Sequence, residues 1–117
     1  DVYKRQAMEY VDLHYRDRFT LRDMAAALYI SPNYLSDLFK KNTGMRLSDY
    51  ITEVRLEKAR EYLMDVHYKV RDVSTLVGIS DPRYFSSVFR KKYGMTPMEF
   101  RNEYASRQFE EPDPEGN

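Results

Sequence analysis

The chain has no cysteine. Disulfides and thiolate metal sites are therefore excluded. No apolar run is long enough to span a bilayer and no secretory leader is visible, so the expectation is a soluble, cytoplasmic protein with no membrane partner. Net charge is lacking as well: 19 basic and 19 acidic side chains stand among 117 residues. Neutrality argues, at first, against a polyanionic partner. The distribution changes that view. Glu110, Glu111, Asp113 and Glu115 all follow the last basic residue, Arg107; without them 19 basic side chains face 15 acidic ones, a net +4. This is a mild basic excess.

The signatures of catalysis are missing too. There is no G-x-S-x-G, no H-E-x-x-H, no Walker loop and no dinucleotide fingerprint. The two histidines lie 53 positions apart. No enzyme activity, cofactor or metal is expected.

What is present is a duplication. Asn33-Tyr-Leu-Ser-Asp-Leu-Phe-Lys-Lys-Asn-Thr-Gly-Met45 aligns with Arg83-Tyr-Phe-Ser-Ser-Val-Phe-Arg-Lys-Lys-Tyr-Gly-Met95 at an offset of 50. Upstream, Leu21-Arg-Asp-Met24 aligns with Val70-Arg-Asp-Val73 at an offset of 49. Two copies are too few for a solenoid, so the reading is two related supersecondary units in one small domain.

Each copy carries helix punctuation. Leu21 to Leu28 reads as a short helix entered through Thr20 and Asp23, with Leu21, Met24, Ala25 and Leu28 inward. Tyr29 and Ile30 make the turn. Ser31 caps the next helix and Pro32 fills its first position, where a missing N–H costs nothing. That helix runs to about Asn42 and buries Leu35, Leu38 and Phe39. In the second copy Val70 to Val77 is the short helix, with Val73, Ser74 and Val77 inward, and Gly78 supplies the turn glycine that Tyr29 replaces in the first. Ser80, Asp81 and Pro82 open the longer helix, which buries Phe85, Val88 and Phe89 and ends at Gly94. A short helix, a tight turn and a capped second helix form the helix-turn-helix pattern.

The flanks complete the outline. Asp1 to Gln6 is read as linker or non-native leader and set outside the fold. A packing helix follows from Gln6 to about Arg16, with Ala7, Tyr10, Val11, His14 and Tyr15 on one face. Leu47 to about Asp65 is a longer helix suited to connect the copies. Thr96-Pro97 starts a last helix from Met98 to about Ser106, with Phe100 and Tyr104 packing back. Residues 108–117 are expected to be a disordered acidic tail. The fold class is all-α with about seven helices. The domain is expected over residues 7–107, with helix-turn-helix units at about 20–45 and 69–95 around a linker helix at 47–65.

Ile79-Ser-Asp-Pro-Arg-Tyr-Phe-Ser-Ser-Val-Phe-Arg-Lys-Lys-Tyr-Gly-Met-Thr-Pro-Met-Glu-Phe-Arg101 resembles the signature of the AraC/XylS family of bacterial transcription regulators. Thr20-Leu-Arg-Asp-Met-Ala25 with Ile30-Ser-Pro-Asn-Tyr-Leu-Ser-Asp-Leu-Phe-Lys-Lys41 resembles that family's first helix-turn-helix. Tyr50-Ile51, Arg55-Leu-Glu-Lys-Ala59 and Leu63 resemble its linker helix. The form Asp81-Pro-Arg-Tyr-Phe85 is most similar to the output domains of YesN-type response regulators.

The resemblance implies two recognition helices entering successive major-groove segments of double-stranded DNA, which repeat every ~34 Å on one face. It implies that Asn33, Ser36 and Asp37 of the first reader and Arg83, Ser86 and Ser87 of the second meet bases. Ser31, Lys40, Lys41, Arg90, Lys91 and Thr96 would meet phosphates. Arg83 is the leading base-contact candidate, since a guanidinium can pair with guanine O6 and N7. Asp37 stands where relatives often carry a base, and Ser87 where a longer reader is common. Arg55 is implied to pack or pair between the subdomains. Taken alone, Lys40, Lys41, Lys91 and Lys92 read as well as solvated helix ends that complement the dipole; the duplication and the resemblance favour phosphate contact.

Regulation would run through RNA polymerase as a further partner. Most members of the family carry a separate sensing or dimerisation domain, so the chain is expected to be a fragment whose missing part lies N-terminal to residue 7. A free-standing small activator is the runner-up. The isolated domain is expected to be a monomer, and a full-length protein would dimerise through the missing part. The rival from another class is a helical protein-interaction module without DNA binding, consistent with neutral charge and Asp37.

Overall fold

The computed structural model describes residues 1–105; the segment from 106 onward, including the acidic tail expected to be disordered, lies outside the described residues. Seven helices, and no strand among the described residues, make up the chain: α1 (Val2–His14), α2 (Leu21–Ala27), α3 (Pro32–Thr43), α4 (Leu47–Met64), α5 (Val70–Leu76), α6 (Pro82–Tyr93) and α7 (Pro97–Tyr104). Two compact units divide at Glu57 and Lys58, so α4 contributes residues to both.

In the first unit, α1, α2, α3 and the start of α4 enclose Ala7, Val11, Met24, Ala25, Leu35, Phe39, Leu47 and Val54. Phe39 is fully buried and stacks at a tilt on Tyr50, ring centres 5.2 Å apart. Burying one such side chain stabilises the fold by ~1.5–3 kcal/mol. The helix α1 begins at Val2, capped by the Asp1 carboxylate, which accepts the Tyr3 N–H at 2.7 Å. Residues expected to stand outside the fold are therefore helical. Their polarity hid this, because an exposed first turn has no apolar period.

In the second unit, α5, α6 and α7 bury Val73, Val77, Phe85, Phe89 and Phe100. Phe89 is the aromatic centre. Its ring meets Phe85 at 5.8 Å, Tyr93 at 4.6 Å and, edge-on, Phe100 at 5.6 Å. Leu38 and Val88, expected in the cores, are half-buried instead. Helical spacing puts them on the inward side but says nothing of depth.

The two turns have the same backbone and different chemistry. The Ile30 N–H donates to the Ala25 carbonyl at 3.0 Å, and the Ile79 N–H to the Ser74 carbonyl at 2.9 Å. Both turns need a left-handed residue. Gly78 supplies it at φ 85°, and Tyr29 at φ 61°. The missing glycine therefore does not change the turn; it moves the cost onto a tyrosine whose ring is 95% exposed. Left-handed backbone costs an ordinary residue ~1–2 kcal/mol. In the second unit the buried Ser74 hydroxyl also donates to the Ile79 carbonyl, a bond Ala25 has no hydroxyl to make.

Two arginines tie down the loops. Arg55 of α4 donates to the Tyr15 and Asp17 carbonyls, each at 3.0 Å, with its guanidinium 5.2 Å from the centre of the Phe19 ring. Burial pulls its pKa below the ordinary value. Expected to pair between subdomains, Arg55 makes these bonds inside the first unit. Arg101 of α7 donates to the carbonyls of Leu63, Asp65 (3.1 Å) and Tyr68 (2.7 Å) in the second.

Candidate nucleic-acid interface

The helices α3 and α6 are built alike. Each is 12 residues long and opens on a side-chain cap followed by proline. Ser31 accepts the Tyr34 N–H at 3.1 Å, and Asp81 accepts the Arg83 N–H at 3.0 Å. Each ends on a left-handed glycine, Gly44 or Gly94, whose N–H returns to the carbonyl of Lys40 or Arg90 at 2.7 Å. Caps at both ends fix where the helices start and stop, and so fix which residues share a face.

One face is given to the core: Leu35 and Phe39 in α3, Phe85 and Phe89 in α6. The opposite face is solvent-exposed. In α3 it carries Asn33, Asp37, Lys40 and Lys41; in α6 it carries Arg83, Ser87, Arg90 and Lys91. Positions i, i+4 and i+7 or i+8 lie along one stripe of a helix. The expected base and phosphate contacts of each reader thus fall together on one outward stripe. Ser36 and Ser86 flank it, half-buried. Tyr34 and Tyr84 stand beside the stripe near the first turn, 50% and 51% exposed, with Tyr3 edge-on to Tyr34 at 6.1 Å.

The caps qualify two expected phosphate contacts. Ser31 is exposed, and its hydroxyl accepts a helix N–H while keeping its own proton to donate outward. Thr96 is half-buried in a reciprocal box: its hydroxyl accepts the Glu99 N–H at 3.1 Å, and its N–H donates to the Glu99 carboxylate at 2.9 Å. The Glu99 carboxyl is held below its ordinary range by these bonds with Thr96, helped by the charge of Arg90. The Thr96 amide is therefore committed, and only its hydroxyl proton remains for a ligand.

In the second unit Ser86 and Thr96 line a common cleft of about 300 Å³ with Ser74, Phe85 and Pro97. Arg71 of α5 lines it as well. Arg71 is not among the expected contacts. Its signal in the sequence was the Leu21-Arg-Asp and Val70-Arg-Asp match, which reads as scaffold rather than site.

Residues 1–57 carry nine basic and nine acidic side chains; residues 58–105 carry nine and six, a net +3, which Arg107 and the four acids that follow it bring back to zero over 58–117. Among the described residues no group of three or more His, Asp or Glu could hold a metal ion. No helix there is long and apolar enough to cross a membrane.

A family model described as a helix-turn-helix domain matches residues 24–103. The HTH-type transcriptional regulator YijO of Escherichia coli (strain K12) is 38% identical over 104 residues, covering 89% of this chain and 37% of its own length. The C-terminal domain of the two-component response regulator yesN from Fusobacterium nucleatum superposes with a TM-score of 0.79 at 34% identity, covering 86% of this chain and 99% of that one. The C-terminal domain of AraT, a response regulator from Geobacillus stearothermophilus, gives a TM-score of 0.89 at 27% identity, covering 100% of this chain and 98% of that one. This chain spans less than half the length of the curated relatives it matches.

Proposed function

Because this chain belongs to the AraC/XylS family of helix-turn-helix transcription regulators, we propose that it binds double-stranded DNA sequence-specifically and regulates bacterial transcription. The observation that carries the reading is the matched construction of α3 and α6. Each is capped at both ends, buries one face and turns a stripe of polar and cationic side chains to solvent. A recognition helix needs this division, since one face must hold it rigidly while the other reads.

Asn33, Ser36 and Asp37 are the proposed base contacts of the first reader. Arg83, Ser86 and Ser87 are those of the second. Arg83 is exposed and near the start of its helix, where a bidentate pair with guanine is worth ~1–3 kcal/mol of discrimination. Asp37 accepts and cannot donate, so it suits the cytosine amino group. Ser31, Lys40, Lys41, Arg90, Lys91 and the Thr96 hydroxyl take phosphates. The domain would serve as the output part of a larger cytoplasmic regulator acting at the nucleoid, with RNA polymerase as its second partner and any dimer contact made by another domain.

The test is selection of duplexes from a random pool, followed by salt titration of wild type and Arg83→Ala. Expected are two short motifs about one helical turn apart and a steep salt slope. The variant should lose ~1–3 kcal/mol and relax a guanine preference in one motif. A folded protein that enriches no duplex at low salt would defeat the reading.

A further inference from the structure

We infer that Arg71, together with its repeat counterpart Arg22, is a DNA-backbone anchor placed outside the reader helices; the inference rests on the DNA-binding reading above. Arg71 is exposed and sits in the first turn of α5, the helix that precedes the reader in its unit. It lines the cleft that also holds Ser86 of the reader and Thr96 at the start of α7. A phosphate received by the Thr96 hydroxyl would therefore lie in the same cleft as a guanidinium. In a helix-turn-helix the first helix crosses the DNA backbone while the second enters the groove, which is where a cation on α5 is useful.

Three observations distinguish Arg71 from an ordinary surface arginine. Among the described residues its guanidinium makes no hydrogen bond or ion pair, whereas Arg55 and Arg101 both bind carbonyls of their own unit. It recurs: Arg22 holds the same place in α2, second residue of the helix and exposed. Among the described residues no carboxylate lines the cleft, and Glu99, next in sequence to the lining residue Met98, is already engaged by Thr96 and faces the charge of Arg90. Asp72 is adjacent in sequence, but a helix turns about 100° per residue, so it points elsewhere on α5. Planar, bidentate pairing with phosphate is what arginine does better than lysine.

The experiment measures binding of wild type, Arg71→Ala, Arg71→Lys, Arg22→Ala and the double alanine variant across a salt series. Each is tested on a selected duplex and on a shuffled duplex of equal length. Thermal melting first checks that each variant folds, which exposed positions permit. Arg71→Ala should bind both duplexes on the order of tenfold more weakly, the lower end for a charge-assisted bond. Its slope of log affinity against log salt should be shallower by about 0.9, the signature of one phosphate. Arg22→Ala should match it and the double variant should show about twice the slope change. Arg71→Lys should keep the wild-type slope, and base preference should not change in any variant.

An unchanged slope for Arg71→Ala overturns the inference while leaving DNA binding intact. So does a loss confined to the selected duplex, or a lysine variant that behaves like alanine. A wild type that enriches no duplex overturns the functional reading and this inference with it.

Discussion

The two helix-turn-helix units share a backbone plan and reach it by different means. The first opens α2 with a complete capping box, in which the Asp23 N–H meets the Thr20 hydroxyl at 3.0 Å and the Thr20 N–H meets the Asp23 carboxylate at 2.9 Å. The second opens α5 on Lys69, which gives no side-chain cap. The first turns on a strained tyrosine, the second on glycine. The first centres its core on Phe39 with Tyr50 as ring neighbour; the second surrounds Phe89 with three rings. The reader of the first unit carries an acid, Asp37, whereas that of the second carries Arg83 and no acid. Each copy is strong where the other is weak in local chemistry. The reader stripe, not the means of holding it, is what both retain.

Core truncation should break the comparison most severely. Phe39→Ala and Phe89→Ala should each cost ~3–5 kcal/mol by denaturant unfolding. Phe89→Ala should sit at the upper end, because it also removes three aromatic contacts. Equal or reversed costs would show that the ring cluster adds nothing to burial.

The turns come next. Gly78→Ala should destabilise by ~1–2 kcal/mol, since its φ of 85° places a Cβ in the left-handed region. The reverse change, Tyr29→Gly, should stabilise by less than ~1 kcal/mol, because strain relief is offset by added freedom in the unfolded chain. A loss for Tyr29→Gly would mean that the exposed ring makes a contribution to the fold. The smallest effect should come from Lys69→Thr. Asp72 already stands three residues on, so threonine would recreate the Thr20–Asp23 box and gain ~0.5–1 kcal/mol. A thermal melt that fails to rise would show that this helix start cannot adopt the reciprocal bond.

Much of this plan was legible because helix punctuation is local. Ser31-Pro32 and Gly44, or Asp81-Pro82 and Gly94, announce starts and stops through groups a residue or two away, and both readers begin and end where those signs fall. The resemblance then identified the stripe that faces outward. Legibility fell away wherever the partner was distant or the signal conformational. Nothing in Arg101 names the carbonyls of Leu63 and Tyr68, which are acceptors in any residue. Nothing in Tyr29 announces a positive φ. Thr96 reads as a phosphate contact or a helix cap with equal ease, and the structure engages it as a cap. Arg71 is masked in the sequence by its match to Arg22, because a repeated Arg-Asp pair in a short helix reads as scaffold.

The two arginine clasps have a consequence for the order in which the nascent protein can acquire its structure. Arg55 closes the loop after α1 as soon as the chain through residue 55 has left the ribosome. The loop after α4 has to wait for Arg101 in the last described helix. Synthesis at roughly 5–20 residues per second leaves an interval of seconds in which one reader has its support and the other does not. A ribosome stalled inside that interval would hold a half-finished domain, with the first copy in place and the second still unclasped.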